Sequence, residues 1–379
     1  MWRGAGRVFF ERTVPPPTPP AINLHDYESL ARERLPQMVY DYYAGGANDE
    51  LTVAENVRAW DRLRLRPRVL ENVSSVDVST TVLGHPVAMP VLTAPCGFSM
   101  LAHPAGECAV ARATAAAGVI QVVSTAATKT LEEVAAAADG RGERWFQLYC
   151  YRDREITRAL VERAEAAGYT ALCLTVDVPL LGRREREIRD HFHLPAGITM
   201  KNLEPYAADL VAAQPEGSAL ATYANTLWDP SLTWDAIGWL RSITRLPLLV
   251  KGILTAEDAR RALEQGVAAV IVSNHGGRQL DTVVSGCEAL PAVVDAVAGR
   301  GEVLVDGGIR RGTHVLKALA LGARAVLIGR PYLWGLAVDG EDGVRRVLEL
   351  LRDELALAMA LAGCASVSRI GRTLIAPLA

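Results

Sequence analysis

From about residue 90 the chain repeats one pattern eight times. Each repeat is a short apolar run without polar alternation, a turn of small residues, then an alanine-rich stretch with helical spacing. Runs that do not alternate mark strands buried on both faces, as in parallel sheets covered by helices. The pattern predicts strands over residues 90–95, 119–125, 144–149, 171–177, 247–252, 268–274, 302–308 and 324–330. Helices are predicted over 106–117, 153–167, 233–244, 255–265, 288–297 and 311–321. Eight such units predict an α/β fold, a (β/α)8 TIM barrel. A doubly wound sheet shares the rhythm but needs a phosphate-binding glycine fingerprint near its start. The GxG of Gly4 and Gly6 precedes no strand–helix unit and does not supply one.

The pattern fails at two places. Before the repeats, residues 26–43 read as one helix, with Ala31, Leu35, Met38 and Tyr42 at helical spacing and Gly45-Gly46 as the stop. Residues 1–22 read as an unstructured tail with an extended proline-rich tether over 15–20, and 23–379 as one barrel domain. About seventy residues separate the fourth and fifth strands, where neighbouring units need roughly 25. Within that gap, 194–230 has weak periodicity, and a long loop at the catalytic end of a barrel strand is expected to act as a lid.

Composition changes this picture little. Half of the 379 residues are apolar, 22% are charged and the formal net charge is −3, so no basic footprint for nucleic acid or an anionic membrane exists. No apolar run approaches the roughly 18 residues of a membrane span. The six cysteines (96, 108, 150, 173, 287, 364) show no CxxC and no regular spacing. Four lie in apolar surroundings and read as core thiols of a reducing, cytoplasmic compartment.

The chemistry gathers at the strand ends, which in a barrel converge on one mouth. Reading across them gives Ser124, Gln147 with Tyr149, Thr175 with Asp177, Lys251, Ser273 with His275 and Arg278, Asp306-Gly307-Gly308, and Gly329-Arg330. Strand ends are polar simply because they meet water. That accounts for any one of these residues, but not for a lysine, a carboxylate, a histidine and arginines together. In Ser273-Asn274-His275-Gly276-Gly277-Arg278 a titratable imidazole and a permanent cation sit three residues apart, with glycines that let backbone approach a ligand. That pair suits removal of a proton, or a hydride equivalent, from a small anionic acid. Asp177 is the natural partner of His275. Lys251 is either a surface cation or the neutraliser of a reduced cofactor. The glycines at 307 and 308, the helix opening at Gly312-Thr313, and Gly329-Arg330 form a phosphate cradle with Arg310 and Arg330 as cations. Either arginine alone reads as a surface charge.

Other candidates read as structural. His191 and His193 form an HxH pair without a third ligand at a telling distance, so no metal is expected. His25, His85, His103 and His314 have no catalytic neighbours. Trp234 and Trp239 read as core or subunit-contact residues.

Together these blocks resemble the FMN-dependent 2-hydroxy-acid oxidase and dehydrogenase family. The resemblance spans about residues 26–377. It rests on Val39-Tyr40-Asp41-Tyr42-Tyr43-Ala44-Gly45-Gly46, Phe146-Gln147-Leu148-Tyr149, Leu174-Thr175-Val176-Asp177, Leu181-Gly182-Arg183-Arg184-Glu185, Val250-Lys251-Gly252, the His275 segment and Asp306-Gly307-Gly308-Ile309-Arg310-Arg311-Gly312. It implies His275 as catalytic base with Asp177 as its partner. It implies Arg278, Arg184 and Tyr42 on the substrate carboxylate, and Tyr149 on the 2-hydroxyl. FMN contacts are implied for Pro95, Cys96, Gly97, Ser124, Gln147, Thr175, Lys251 and Ser273. Asp306, Gly307, Gly308, Arg310, Gly329 and Arg330 are implied for its phosphate end. The implied activity is oxidation of (S)-2-hydroxy acids to 2-oxo acids with oxygen as acceptor, in a homotetramer.

Two positions depart from the family pattern. Ala126 stands where glycolate oxidases carry tryptophan and lactate oxidase a bulky aromatic. Gly97 stands where the oxidases carry alanine, and mandelate dehydrogenase and lactate monooxygenase are similar to this chain there. Both point to a wider pocket and a bulkier 2-hydroxy acid. The apolar membrane segment of mandelate dehydrogenase and the haem domain of the flavocytochrome relatives are absent. Rival readings are a dehydrogenase passing electrons to a quinone or carrier protein, a monooxygenase, and a flavin-binding scaffold without turnover. A flavin-dependent isomerase would need a second phosphate site, and none is legible.

Overall fold

The computed structural model describes residues 21–206 and 226–376. The expected tail falls almost wholly outside the described residues, as does the middle of the expected lid, 207–225. All eight expected strands form: β1 (Val91–Thr93), β2 (Gln121–Val123), β3 (Arg144–Leu148), β4 (Ala171–Thr175), β5 (Leu248–Ile253), β6 (Ala269–Val272), β7 (Glu302–Asp306) and β8 (Ala325–Ile328). Each runs parallel to its sequence neighbour, and β8 pairs with β1 through Leu327 and Leu92, closing the barrel. Most strands are shorter than the apolar runs suggest. Residues such as Ser124, Asp177 and Asn274 lie past the last ladder bond, in the turns that cover the mouth.

The pleat decides which side chains reach that mouth. Leu92, Val122, Trp145, Cys173, Leu249, Ile271, Leu304 and Leu327 belong to one buried cluster that fills the barrel. Side chains alternate across a strand, so residues two further along share the inward parity. They are Ala94, Ser124, Gln147, Thr175, Lys251, Ser273, Asp306 and Gly329. The core therefore turns polar abruptly, one layer below the C-terminal rim. The opposite end is plugged by a hairpin of Thr80–Val82 and His85–Val87, whose Val82 and Val87 join the same cluster.

The N-terminal helix expected over 26–43 is two helices, α1 (Leu24–Arg34) and α2 (Gln37–Ala44). Pro36 separates them, because proline has no N–H for the ladder and pushes the preceding Leu35 into an extended conformation. A helix not anticipated, α3 (Leu51–Arg62), follows. Its buried face includes Thr52 and Asn56 beside Ala59 and Trp60, so it lacks the apolar stripe by which helices are recognised. Further helices among the described residues are α4 (Gly106–Ala117), α5 (Leu131–Ala136), α6 (Arg154–Ala166), α7 (Glu185–Arg189), α8 (Asp235–Ile243), α9 (Ala256–Glu264), α10 (Gly286–Val297), α11 (Gly312–Ala320) and α12 (Arg330–Leu361). Capping boxes start α5 at Thr130 with Glu133 and α10 at Ser285 with Glu288. α12 is broken at Asp339 and Gly340, whose backbones leave the helical region.

All six cysteines are free, with 150, 173, 287 and 364 buried and 96 and 108 partly so. His191 and His193 are exposed, and no metal-binding cluster exists among the described residues. No helix among the described residues is long and apolar enough to cross a membrane.

Candidate active site

One cavity of about 1150 Å3, mouth included, opens at the C-terminal rim. Its wall gathers Tyr42 from α2, Pro95, Cys96 and Gly97 after β1, and Ser124 and Ala126 after β2. Tyr149, Arg184, Lys251, His275, Arg278, Asp306, Gly307, Gly308, Arg310, Gly329 and Arg330 complete the set of candidates on it. Four candidates stand behind the wall. Gln147 accepts from Ser124 Oγ at 3.1 Å, Ser273 accepts from Lys251 Nζ at 2.8 Å, and Asp177 reaches the site through His275. Thr175 pairs with Lys251 across the β4–β5 ladder and shares its inward parity.

His275 sits on a turn of three successive left-handed residues, with φ of 57°, 63° and 76° at 275, 276 and 277. A non-glycine residue held there is costly and persists only when its surroundings fix it. Asn274 does so: its side chain accepts from Gly277 N and exchanges two hydrogen bonds, 2.9 and 2.8 Å, with Asn56 of α3. His275 Nδ1 lies 2.8 Å from Asp177 Oδ1. Burial pushes the His275 imidazole below its ordinary value, with the Asp177 charge opposing. Burial pushes the Asp177 carboxyl up, but His275 and Lys251 outweigh it and hold the group below the usual carboxylate range. The pair is thus a neutral imidazole beside a carboxylate. A carboxylate only accepts, so Nδ1 carries the hydrogen and Nε2 keeps a free lone pair, the arrangement of a general base.

Facing it are two guanidinium groups. Arg278 Nη1 donates to the carbonyls of Tyr42 (2.6 Å) and Gly45 (3.0 Å), and its charge lies 5.0 Å from the Tyr42 ring centre. Arg184 is 7% exposed and donates through Nε to the Arg278 carbonyl. Both also donate to Glu187, a buried carboxylate one turn into α7. Sequence reasoning missed Glu187, since nothing in an exposed-looking run of alternating Glu and Arg marks one member as interior. Tyr42 stacks on Phe192 at 4.4 Å, and burial pushes its phenol up to about 12, so it stays a neutral donor. Tyr149 packs against Trp228 at 4.5 Å, with its phenol raised further, again by burial first. Trp228, from the far flank of the long loop, is a second wall residue that sequence reasoning missed.

Lys251 is only 4% exposed, which excludes the surface-cation reading. It bonds Ser273 and stands 3.2 Å from Asp306 Oδ2. Burial would lower this amine, but Asp306 and Asp177 keep it charged. The glycines at 307 and 308 have φ of 94° and 78°, and a Cβ built on Gly308 would lie 1.9 Å from the Asn56 carbonyl oxygen. α3 therefore presses directly on this turn, and Trp60 Nε1 donates to the Gly307 carbonyl at 2.8 Å. His314, read from the sequence as structural, braces the same turn. It is buried, with Nδ1 3.3 Å from the Arg310 amide and Nε2 3.0 Å from Asp61 Oδ1.

A phosphate-bearing cofactor fits this end. Arg310 is 9% exposed, donates to the Ile309 carbonyl, and has no carboxylate hydrogen-bonded to it among the described residues. Buried Gln147 Nε2, Thr175 Oγ1 and Asp306 Oδ1 lack hydrogen-bond partners, as polar groups built to meet a ligand do. α12 opens beneath with Pro331 in its first turn, presenting helix N-terminal amides. Arg330 lines the same end of the cavity. Its guanidinium donates to the carbonyls of Tyr43, Gly276 and Gly45, so it ties α2 to the His275 turn and leaves only two of its five N–H groups for a phosphate.

The fold and the site together define a barrel enzyme that holds a small anionic acid between a general base and a phosphate-bearing cofactor. The chain belongs to the FMN-dependent dehydrogenase family, whose model matches residues 31–377, and its cofactor is FMN. It is 53% identical over 351 residues to L-lactate oxidase of Nostoc sp. (strain PCC 7120 / SAG 25.82 / UTEX 2576), covering 92% of this chain and 96% of that one. It is 54% identical over 351 residues to glycolate oxidase 3 of Arabidopsis thaliana, covering 93% and 95%. A crystal structure of mandelate oxidase with (S)-4-hydroxymandelic acid superposes with a TM-score of 0.88 at 46% identity, covering 92% and 97%.

Proposed function

We propose that this protein oxidises (S)-2-hydroxy acids to 2-oxo acids, with FMN as cofactor and oxygen as acceptor, releasing hydrogen peroxide. The observation that carries this reading is the His275–Asp177 pair facing Arg184 and Arg278 across one cavity that ends in a glycine-lined, cationic cradle. Arg184, Arg278 and the Tyr42 phenol hold the substrate carboxylate, each charge-assisted bond contributing about 1.5–3 kcal/mol. Tyr149 orients the 2-hydroxyl. His275 Nε2 takes the proton released as the α-carbon is oxidised, and Asp177 stabilises the imidazolium formed. FMN, when bound, supplies the two-electron acceptor, its phosphate held by residues 306–310, Gly329 and Arg330, its ring by the residues after β1 and by Ser124, Gln147, Thr175, Lys251 and Ser273. Lys251, kept charged by its carboxylate neighbours, offsets negative charge at the ring.

The pocket is read as wide. Gly97 and Ala126 both line the cavity, and a Cβ on Gly97 would crowd the Ala126 methyl at 3.1 Å, so Gly97 packs tightly against Ala126 and the room for a bulky substituent rests on the small side chain at 126. The relatives' names span glycolate, lactate and mandelate, which brackets that size range. The long loop carrying Trp228 is the candidate lid. A reducing, cytoplasmic location is supported by six free cysteines.

Purified with FMN supplied, the protein should be yellow, and a 2-hydroxy acid added without air should bleach it. In air, one peroxide should form per acid consumed. Persistent colour with every acid tried would sink the assignment, whereas bleaching without peroxide would move the acceptor to a quinone or carrier protein.

A further inference from the structure

The carboxylate subsite places two guanidinium groups side by side in a nearly dry environment. Burial lowers the Arg184 pKa, and the neighbouring Arg278 charge lowers it further, so the two cations oppose one another. Left unneutralised they would be strongly destabilising. Glu187, 2% exposed, sits between them: its Oε1 accepts from Arg184 Nη1 at 3.3 Å and from Arg278 Nη2 at 3.1 Å. Its Oε2 is buried and has no hydrogen-bond partner among the described residues. The other charges around the cavity are matched or distant in role. His275 is neutral, Lys251 faces Asp306 and Asp177, and Arg310 and Arg330 stand at the phosphate end. Two cations and one anion leave the subsite with a single net positive charge.

The geometry points to Glu187 as a specificity-determining and positioning residue that tunes the subsite to monoanionic carboxylates and rejects dianionic ones. The inference rests on the carboxylate role of Arg184 and Arg278 stated above. One substrate carboxylate is neutralised by the remaining charge. A second finds no uncompensated cation and meets the field of a buried carboxylate, so discrimination is achieved by repulsion as well as by attraction. The same contact anchors the Arg278 fork, whose other terminal nitrogen is bound to the end of α2.

Binding without turnover tests this. Propionate and malonate would be titrated calorimetrically into the FMN-loaded protein at neutral pH, where one is a monoanion and the other a dianion. Wild type should bind propionate at least about tenfold more tightly, a step of about 1.4 kcal/mol. Glu187→Gln, with FMN content and melting temperature checked, should shift the ratio about tenfold toward malonate, whereas Glu187→Asp, which keeps the charge, should hold the wild-type order. A folded Glu187→Gln protein with an unchanged ratio overturns the proposal, as does a wild type that prefers malonate. Should Glu187→Gln fail to fold, the wild-type ratio and the aspartate variant decide. Failure to oxidise any 2-hydroxy acid sinks the activity assignment separately, because the ligand ratio is read without turnover.

Discussion

At the scale of single residues, the site works by separating protonation states that water would mix. Burial pushes the His275 imidazole toward its neutral form, and Asp177 is held ionised because its interactions with His275 and Lys251 outweigh the same effect. The sign of the pH dependence follows. A base acts deprotonated, so kcat/KM should fall as pH drops through the His275 pKa, which lies below the ordinary imidazole value. Asp177→Asn removes the charge that raises that pKa, so the acid limb should move to lower pH while the plateau falls about 10²–10⁴-fold. A pH–rate profile of both proteins checks this, and an acid limb shifted upward would contradict it. His275→Ala should keep its flavin spectrum and lose turnover by a similar factor. Ala126→Trp should put an indole on the cavity wall, abolishing oxidation of bulky acids while sparing glycolate; a panel of acids with peroxide readout measures it.

At the scale of elements, α3 is the least anticipated part of the molecule and the one that most clearly fixes the chemistry. Asn56 locks the His275 turn and presses on Gly308, while Trp60 ties down Gly307. A single helix thereby holds the His275 turn and the Gly307–Gly308 turn in register. Gly308→Ala would force a side chain into left-handed backbone and onto the Asn56 carbonyl. It should cost about 2–4 kcal/mol from strain and overpacking, and should strip FMN. Guanidinium denaturation with flavin fluorescence would report both, and a variant of wild-type stability that holds its flavin would contradict the account. The polar buried face that braces the two turns is also why α3 was illegible, since Thr52 and Asn56 break the apolar stripe. The break between α1 and α2 was legible, because Pro36 is in the sequence; the helical spacing across it outweighed the proline in the reading.

At the scale of the whole molecule, exposed apolar side chains remain on and near the last helix: Leu357 (61%), Leu361 (70%) and Val69 (80%). The homotetramer that the family resemblance implies is testable: light scattering should give four times the 40.7 kDa of one chain, and a monomeric mass would refute it. The barrel itself was legible from end to end, because eight buried parallel strands each impose an apolar run, and that periodicity is local. Strand parity then carried Ser124, Gln147, Thr175, Lys251, Ser273 and Asp306 to the inward face, two residues beyond the core. The sequence by itself thus determined the order of the barrel strands, the barrel and the residue types at its mouth. Only the tertiary structure decided which charges meet. Glu187 between two arginines, Trp228 against Tyr149 and Arg330 bound to three carbonyls depend on contacts across long stretches of chain, and no spacing along one strand or helix encodes a distance through space.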